Sequence, residues 1–175
     1  MADEKEKEAG AWKVYKRDAD FMQEARERMA KSRIIYRAKE RQWGKSGHRP
    51  NSTSVVLVDE STGFNAKTMM SFLGEIPPGG KGDSHRHNCE AIIYIVKGKG
   101  YTILNEARYD WEEGDSLFVP PNAWHQHFNG SAKDPAWYYA VTTLPLLKSM
   151  DIFEMEGSKE EKDRLRREAE EGKIS

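Results

Sequence analysis

The middle of the chain alternates short apolar runs with turn-forming residues. The runs are rich in β-branched or aromatic side chains and lie at 55–58, 67–76, 91–96, 101–104, 116–119, 124–128 and 136–142. Glycine, proline, serine and asparagine cluster between them, for example at 77–80 and 97–100. Many short strands at this spacing predict an all-β sandwich or closed barrel, a group that includes the jelly rolls.

The flanking segments follow a different pattern. From Asp18 to about Trp43 the residues favour a helix, and neither glycine nor proline interrupts them. Met22, Met29, Tyr36 and Trp43 recur every seven positions and would line one face of that helix. The tail from residue 158 to about 172 is highly charged and predicts a second, exposed helix.

Length and pattern together predict one domain with two flanks. A chain of 175 residues can bury one good core and is too short for two ordinary domains. We expect a charged arm and helix over 1–48, a β-barrel over 49–156, and a charged C-terminal helix or tail over 157–175.

Charge and composition limit the classes of binding partner that we expect for this chain. The net charge is −1 with 33% charged residues, which favours neither nucleic acid nor a membrane surface. The helical flank is basic but carries no aromatic platform or recognition motif, so we expect no nucleic-acid binding. We also expect no membrane association, since no apolar run approaches the roughly 18 residues that a bilayer requires. The single cysteine, Cys89, and the absence of a secretory signal at the start predict a cytoplasmic protein.

Four of the five histidines occur in two His-x-His pairs, His85 with His87 and His125 with His127. Residues two apart on a strand point to the same face, so each pair presents both imidazoles to one side. If that side is the barrel interior, the four rings converge. Imidazole suits zinc, iron, copper and nickel, so the pattern predicts a metal site without choosing the metal.

The spacing around these pairs resembles that of the cupin family. The stretch Gly79-x5-His85-x-His87-x3-Ala91-x6-Gly98 resembles the first cupin motif, and Gly114-x5-Pro120-x-Asn122-x2-His125-x3-Asn129 resembles the second. This resemblance implies a double-stranded β-helix, a jelly-roll barrel, with a metal ion at its centre. It also implies that the ligands are His85, His87 and His125.

One position departs from the usual cupin pattern. Cupins commonly add a glutamate ligand in the first motif, and Ala91 occupies the matching position here. Glu90 is adjacent, but it has the opposite strand parity and would need a β-bulge to reach the metal. Three-histidine ligation and the His-Arg-His and Trp-His-x-His sequences resemble the gentisate dioxygenase group of cupins. That group implies iron(II) and cleavage of a small aromatic ring, although most of its members carry two cupin domains.

Three functions therefore remain open. The first is an iron(II) dioxygenase that acts on a small anionic or phenolic substrate. The second is a lyase, isomerase or decarboxylase of a small carboxylate that uses zinc, nickel or manganese as a Lewis acid without redox chemistry. The third is a non-catalytic module that binds a small ligand. Oxygen consumption, anaerobic turnover, and binding without conversion would distinguish them.

Residues beside the expected ligands complete the hypothesis. His127 shares the face of His125 and could be an acid–base catalyst, a fourth ligand or a structural group. Tyr101, Trp124 and Trp137 are candidate pocket walls. The apolar stripe of the N-terminal helix could pack on its own barrel or against a second subunit. We expect a homodimer, because the cupin resemblance implies pairing.

Overall fold

The computed structural model describes residues 18–46, 49–158, 163 and 170–171. It contains eleven strands: β1 Gly44–Ser46, β2 Arg49–Val58, β3 Met70–Ile76, β4 His85–His87, β5 Ala91–Lys97, β6 Lys99–Leu104, β7 Ala107–Glu112, β8 Ser116–Val119, β9 His125–Asn129, β10 Ala136–Thr142 and β11 Met155–Gly157. Two α-helices lie entirely within the described residues, α1 Asp18–Lys31 and α2 Leu144–Ser149. Short 3-10 turns lie at Ala38–Glu40 and Glu60–Thr62.

The strands form two antiparallel sheets. One has six strands in the order β1-β2-β3-β10-β5-β8, and the other has five in the order β11-β4-β9-β6-β7. Neighbours in space are often distant in sequence, as with β10, which pairs with both β3 and β5. The two antiparallel sheets and the predominance of strands confirm the predicted all-β fold class.

Strand alternation positions the core between the sheets. Along β5 the residues are buried and exposed in turn, so that Ala91, Ile93 and Ile95 face inward. They pack with Ile76 and Val119 in one buried apolar cluster. Because β4 and β9 belong to the facing sheet, side chains on their inner faces point toward this cluster.

The helical flank is shorter than the sequence predicts. Helix α1 ends at Lys31, and the chain then runs through a 3-10 turn into β1. Arg33 explains the change, since its backbone N–H donates to the Gly63 carbonyl at 2.8 Å and its guanidinium lies over the rings of Tyr36 and Phe64. These contacts with a distant turn outweigh local helix propensity.

Strand β7 and the C-terminal segment are the other regions where the structure and the sequence-based expectation are compared. The sequence does not predict strand β7. Only Trp111 of its residues is buried, and charged residues interrupt any regular alternation. Most of the predicted C-terminal helix falls outside the described residues, and the proposed boundaries of the barrel at 49 and 156 stay a prediction. No helix in the described part of the chain has the length and apolar character needed to cross a membrane.

Candidate metal centre and pocket

Three histidines meet on the inner face of the five-stranded sheet. His85 and His87 lie two apart on β4, and His125 begins β9 directly opposite His85 in the antiparallel register. All three are buried, with exposed fractions of 4%, 8% and 3%. One nitrogen from each ring lies within 4.8 Å of the corresponding atoms of the other two. The two predicted motifs are therefore brought together at a single point.

Backbone carbonyls fix the orientation of the three rings. In each case Nδ1 lies 2.8 Å from a carbonyl oxygen, that of Asp83 for His85, of Cys89 for His87 and of Ala123 for His125. A carbonyl can only accept, so Nδ1 donates the hydrogen and Nε2 of the neutral imidazole carries the lone pair. This is the arrangement of metal-binding histidines. The donor set therefore fits a divalent transition metal.

The cluster contains no carboxylate among the described residues. Ala91 is buried at the position where a glutamate ligand would lie, and Glu90 is exposed on the other side of the strand. The Glu90 backbone is held there by hydrogen bonds with Thr143 through its N–H and its carbonyl. The bulge that would turn Glu90 inward is therefore absent from the β5 region as described.

His127 is held differently from the other three histidines. Its Nδ1 lies 2.8 Å from Oγ1 of Thr102, and the same oxygen accepts a hydrogen bond from the Trp111 indole N–H at 3.0 Å. Thr102 is completely buried, and its hydroxyl has no other acceptor among the hydrogen bonds of the described residues, so its hydrogen is directed to His127 Nδ1. Neutral His127 then carries its hydrogen on Nε2. Its tautomer is thus opposite to that of the three clustered histidines.

The histidine cluster opens into a cavity of about 540 Å³ between the two sheets. Its inner part contains the four histidines and the buried Asp83. Its walls are mainly apolar, with Val56, Phe72, Ile93, Tyr138, Ala140, Leu144, Phe153 and Met155 among the lining residues. The cavity therefore offers a cluster of nitrogen donors at one end of a largely water-excluding space.

The three aromatic residues predicted as pocket walls lie elsewhere. Tyr101 stacks on Phe128 with ring centroids 4.6 Å apart, and Arg86 lies over the ring of Trp124. The Trp137 indole donates to Glu75 at 2.7 Å. None of the three lines the cavity. Tyr101 and Trp137 lie in strands whose neighbouring positions point inward instead, and Trp124 precedes β9.

Phe72, Tyr138 and Phe153 provide the aromatic lining that sequence reasoning missed. Strand parity could have indicated Tyr138, which shares a face with the small buried residues Ala136 and Ala140. Phe153 follows α2 in a segment with no periodic pattern, so no sequence signal pointed to it.

Comparisons with known proteins agree with this geometry. Residues 72–142 match the family model for a cupin domain. A gentisate 1,2-dioxygenase from Aquipseudomonas alcaligenes is 33% identical over 108 residues, which cover 58% of this chain and 31% of that protein. A 5-aminosalicylate 1,2-dioxygenase from a Comamonas species is 31% identical over 70 residues, 40% of this chain and 18% of the relative.

Solved structures extend the likeness to the fold. A salicylate 1,2-dioxygenase variant from Pseudoaminobacter salicylatoxidans, crystallised with gentisate, superposes with a TM-score of 0.57 at 14% identity. The superposition covers 63% of this chain and 30% of the enzyme. The matched region thus spans less than a third of the length of these dioxygenases.

Proposed function

Because residues 72–142 match the cupin domain model and the histidine cluster resembles the three-histidine gentisate dioxygenase group, we propose that this chain is a cupin and an iron(II)-dependent dioxygenase of a small anionic or phenolic substrate. The observation that carries the proposal is the set of three Nε2 atoms, oriented by backbone carbonyls and free of any carboxylate in the described cluster. His85, His87 and His125 would hold the metal.

The missing carboxylate bears on the substrate. Three neutral imidazoles leave the full +2 charge of a bound ion in place, which favours anionic, chelating ligands. When bound, ferrous iron supplies chelation of substrate oxygens and activation of dioxygen, for which a three-ligand site leaves room. Zinc, nickel and copper also suit imidazole donors, whereas manganese prefers oxygen ligands; these four metals are the alternatives to iron.

The remaining pocket residues would serve substrate binding. His127 would present its Nε2 hydrogen to a substrate oxygen and exchange a proton with it, while Thr102 holds the ring from the other side. The apolar side chains of Phe72, Ile93 and Tyr138 would cover an aromatic ring and exclude water from the reacting atoms.

Metal analysis and oxygen uptake test this proposal together. Protein purified without oxygen should contain about one iron per chain, and hydroxybenzoates or β-dicarbonyls should be screened for oxygen consumption. His125→Ala should lose the metal, whereas His127→Gln should keep it and lose about 100-fold or more in turnover. Turnover that continues without oxygen would contradict the dioxygenase and favour a lyase or isomerase. Tight binding without conversion would favour a binding module.

We further propose a cytoplasmic homodimer. Its support is a patch of exposed apolar residues on the outer face of the six-stranded sheet, including Ile92, Tyr94 and Phe118. Such contiguous patches are typical of contact surfaces. The cytoplasmic assignment rests on the single cysteine, which is buried.

A further inference from the structure

The cavity has two chemically different ends. The inner end holds the histidine cluster, whose members are buried. The cavity opens to solvent beside the segment 144–157, which leaves β10, passes through α2 and returns as β11, where Met155 pairs with His87 of β4. Leu144, Lys148, Phe153 and Met155 of this segment line the cavity, and Lys148 and Met155 are exposed. This segment therefore forms part of the mouth.

Lys148 is the only lysine or arginine among the described residues that line the cavity. Its Nζ lies 5.7 Å from the centre of the Phe153 ring, which lines the cavity as well. Attraction between an ammonium group and an aromatic face favours this placement. None of the ion pairs between described residues involves Lys148, so its charge is not neutralised by a carboxylate of that part of the chain.

We infer that Lys148 binds an anionic group of the substrate where the cavity opens to solvent. This inference rests on the proposed function, because it assumes that chelating oxygens occupy the inner end. The substrate would then have three parts: a pair of metal-binding oxygens, an apolar or aromatic body, and a carboxylate or similar anion at the mouth. The apolar side chains that form most of the cavity walls make it unfavourable to place a charged group against them.

A matched pair of ligands tests the inference. 2-Hydroxybenzoate and 4-hydroxybenzene-1,3-dicarboxylate share an adjacent hydroxyl and carboxylate, and only the second has another carboxylate opposite the hydroxyl. Calorimetric titration of the iron-loaded protein without oxygen measures both dissociation constants in the absence of turnover. We expect the dicarboxylate to bind about 2- to 5-fold more tightly to the natural protein, the range for an exposed ion pair.

Variants of Lys148 assign that preference to one side chain. Lys148→Met should bring the ratio of the two dissociation constants to about one, Lys148→Glu should invert it, and Lys148→Arg should keep it. Lys133→Met is the matched control, because Lys133 is exposed on a loop and does not line the cavity. The ratio should also fall with added salt in the natural protein and remain insensitive in Lys148→Met.

The outcomes separate the two proposals. If the natural protein binds both ligands equally, or if Lys148→Met keeps the preference, the inference about Lys148 is wrong and the metal site is unaffected. If neither ligand binds with iron present, the chelating function itself is wrong and the inference is rejected with it.

Discussion

At the level of single residues, the two His-x-His motifs contain two kinds of histidine. His85, His87 and His125 each donate through Nδ1 to a backbone carbonyl, a partner that mutation of a side chain cannot remove. His127 instead depends on the hydroxyl of Thr102. Since a hydroxyl both donates and accepts, Thr102 can reverse the tautomer that a carbonyl would impose. One side chain thus separates a proton-bearing histidine from the metal-binding ones.

Replacing Thr102 with valine should therefore affect both stability and turnover. Thr102 is completely buried, and its loss would leave the Trp111 N–H and His127 Nδ1 without this partner. We expect the free energy of unfolding to fall by about 1–3 kcal/mol, measured by urea denaturation. Oxygen uptake should fall about 10-fold or more, because the His127 ring loses its fixed orientation.

Two controls show whether the loss of turnover in Thr102→Val comes from the missing hydroxyl. Thr102→Ser keeps the hydroxyl and should retain most of the turnover, and the iron content should stay the same in both variants. If Thr102→Val is as active as the natural protein, the hydroxyl does not set the state of His127.

At the level of elements, strand alternation explains what the sequence could predict. Positions 85, 87, 89 and 91 share one parity, and all four are buried in the structure. The same parity puts Arg86 on the outer face, and there its guanidinium pairs with Glu156 of β11 at 2.7 Å. The three clustered histidines were predictable because each motif contains its own two-residue spacing.

Alternation alone cannot tell which residues of a strand point inward when no residue of that strand has a known orientation. Trp137 and Tyr138 are adjacent aromatic residues, so an error of one position in the assigned parity exchanges the residue that lines the cavity with the one that faces outward. The mouth segment 144–157 has no period at all, so Lys148 and Phe153 could only be found in the folded chain. Helix α1 shows the converse, since its predicted continuation was ended by contacts between Arg33 and a turn about thirty residues away.

Glycine at position 100 is required by the packing of β6 between β7 and β9. The sequence predicts Gly98 and Gly100 as one hairpin turn, but only Gly98 has a positive φ, and Gly100 lies within β6. A Cβ atom at Gly100 would overlap the Phe128 carbonyl and approach the Trp111 ring to 2.5 Å. Trp111 is the residue that donates to Thr102, so this clash would also disturb the partner of His127.

Gly100→Ala should therefore lower the free energy of unfolding by about 2–3 kcal/mol, the cost of overpacking a rigid site. Gly82→Ala is the matched control, because the nearest atom to its new Cβ would be 3.9 Å away. We expect the control to change stability by less than about 0.5 kcal/mol in urea denaturation. If the two substitutions change stability equally, β6 can accommodate a Cβ atom at position 100 and the predicted clash is wrong.

At the scale of the whole molecule, the two faces of the six-stranded sheet have different uses. Its inner face carries the apolar cluster and one wall of the cavity. On its outer face, Ile92 is opposite Phe118 of β8 on one side and Val141 of β10 on the other. Ile92 and Phe118 are 56% and 51% exposed. Burying such a patch against the same patch of a second copy would give a two-fold symmetric dimer.

The double substitution Ile92→Lys and Phe118→Lys tests this arrangement. Sedimentation equilibrium should show a dimer for the natural protein and a monomer for the variant, because four like charges would face one another across the two-fold axis. Tyr109→Lys on β7 of the other sheet is the control and should stay dimeric, since Tyr109 is equally exposed. A variant that remains dimeric would move the interface elsewhere, with the exposed Met22 and Met29 of α1 as the next surface to test. Because the patch lies on the opposite side of the sheet from the cavity, the monomer should keep its iron, which separates assembly from the chemistry of the site.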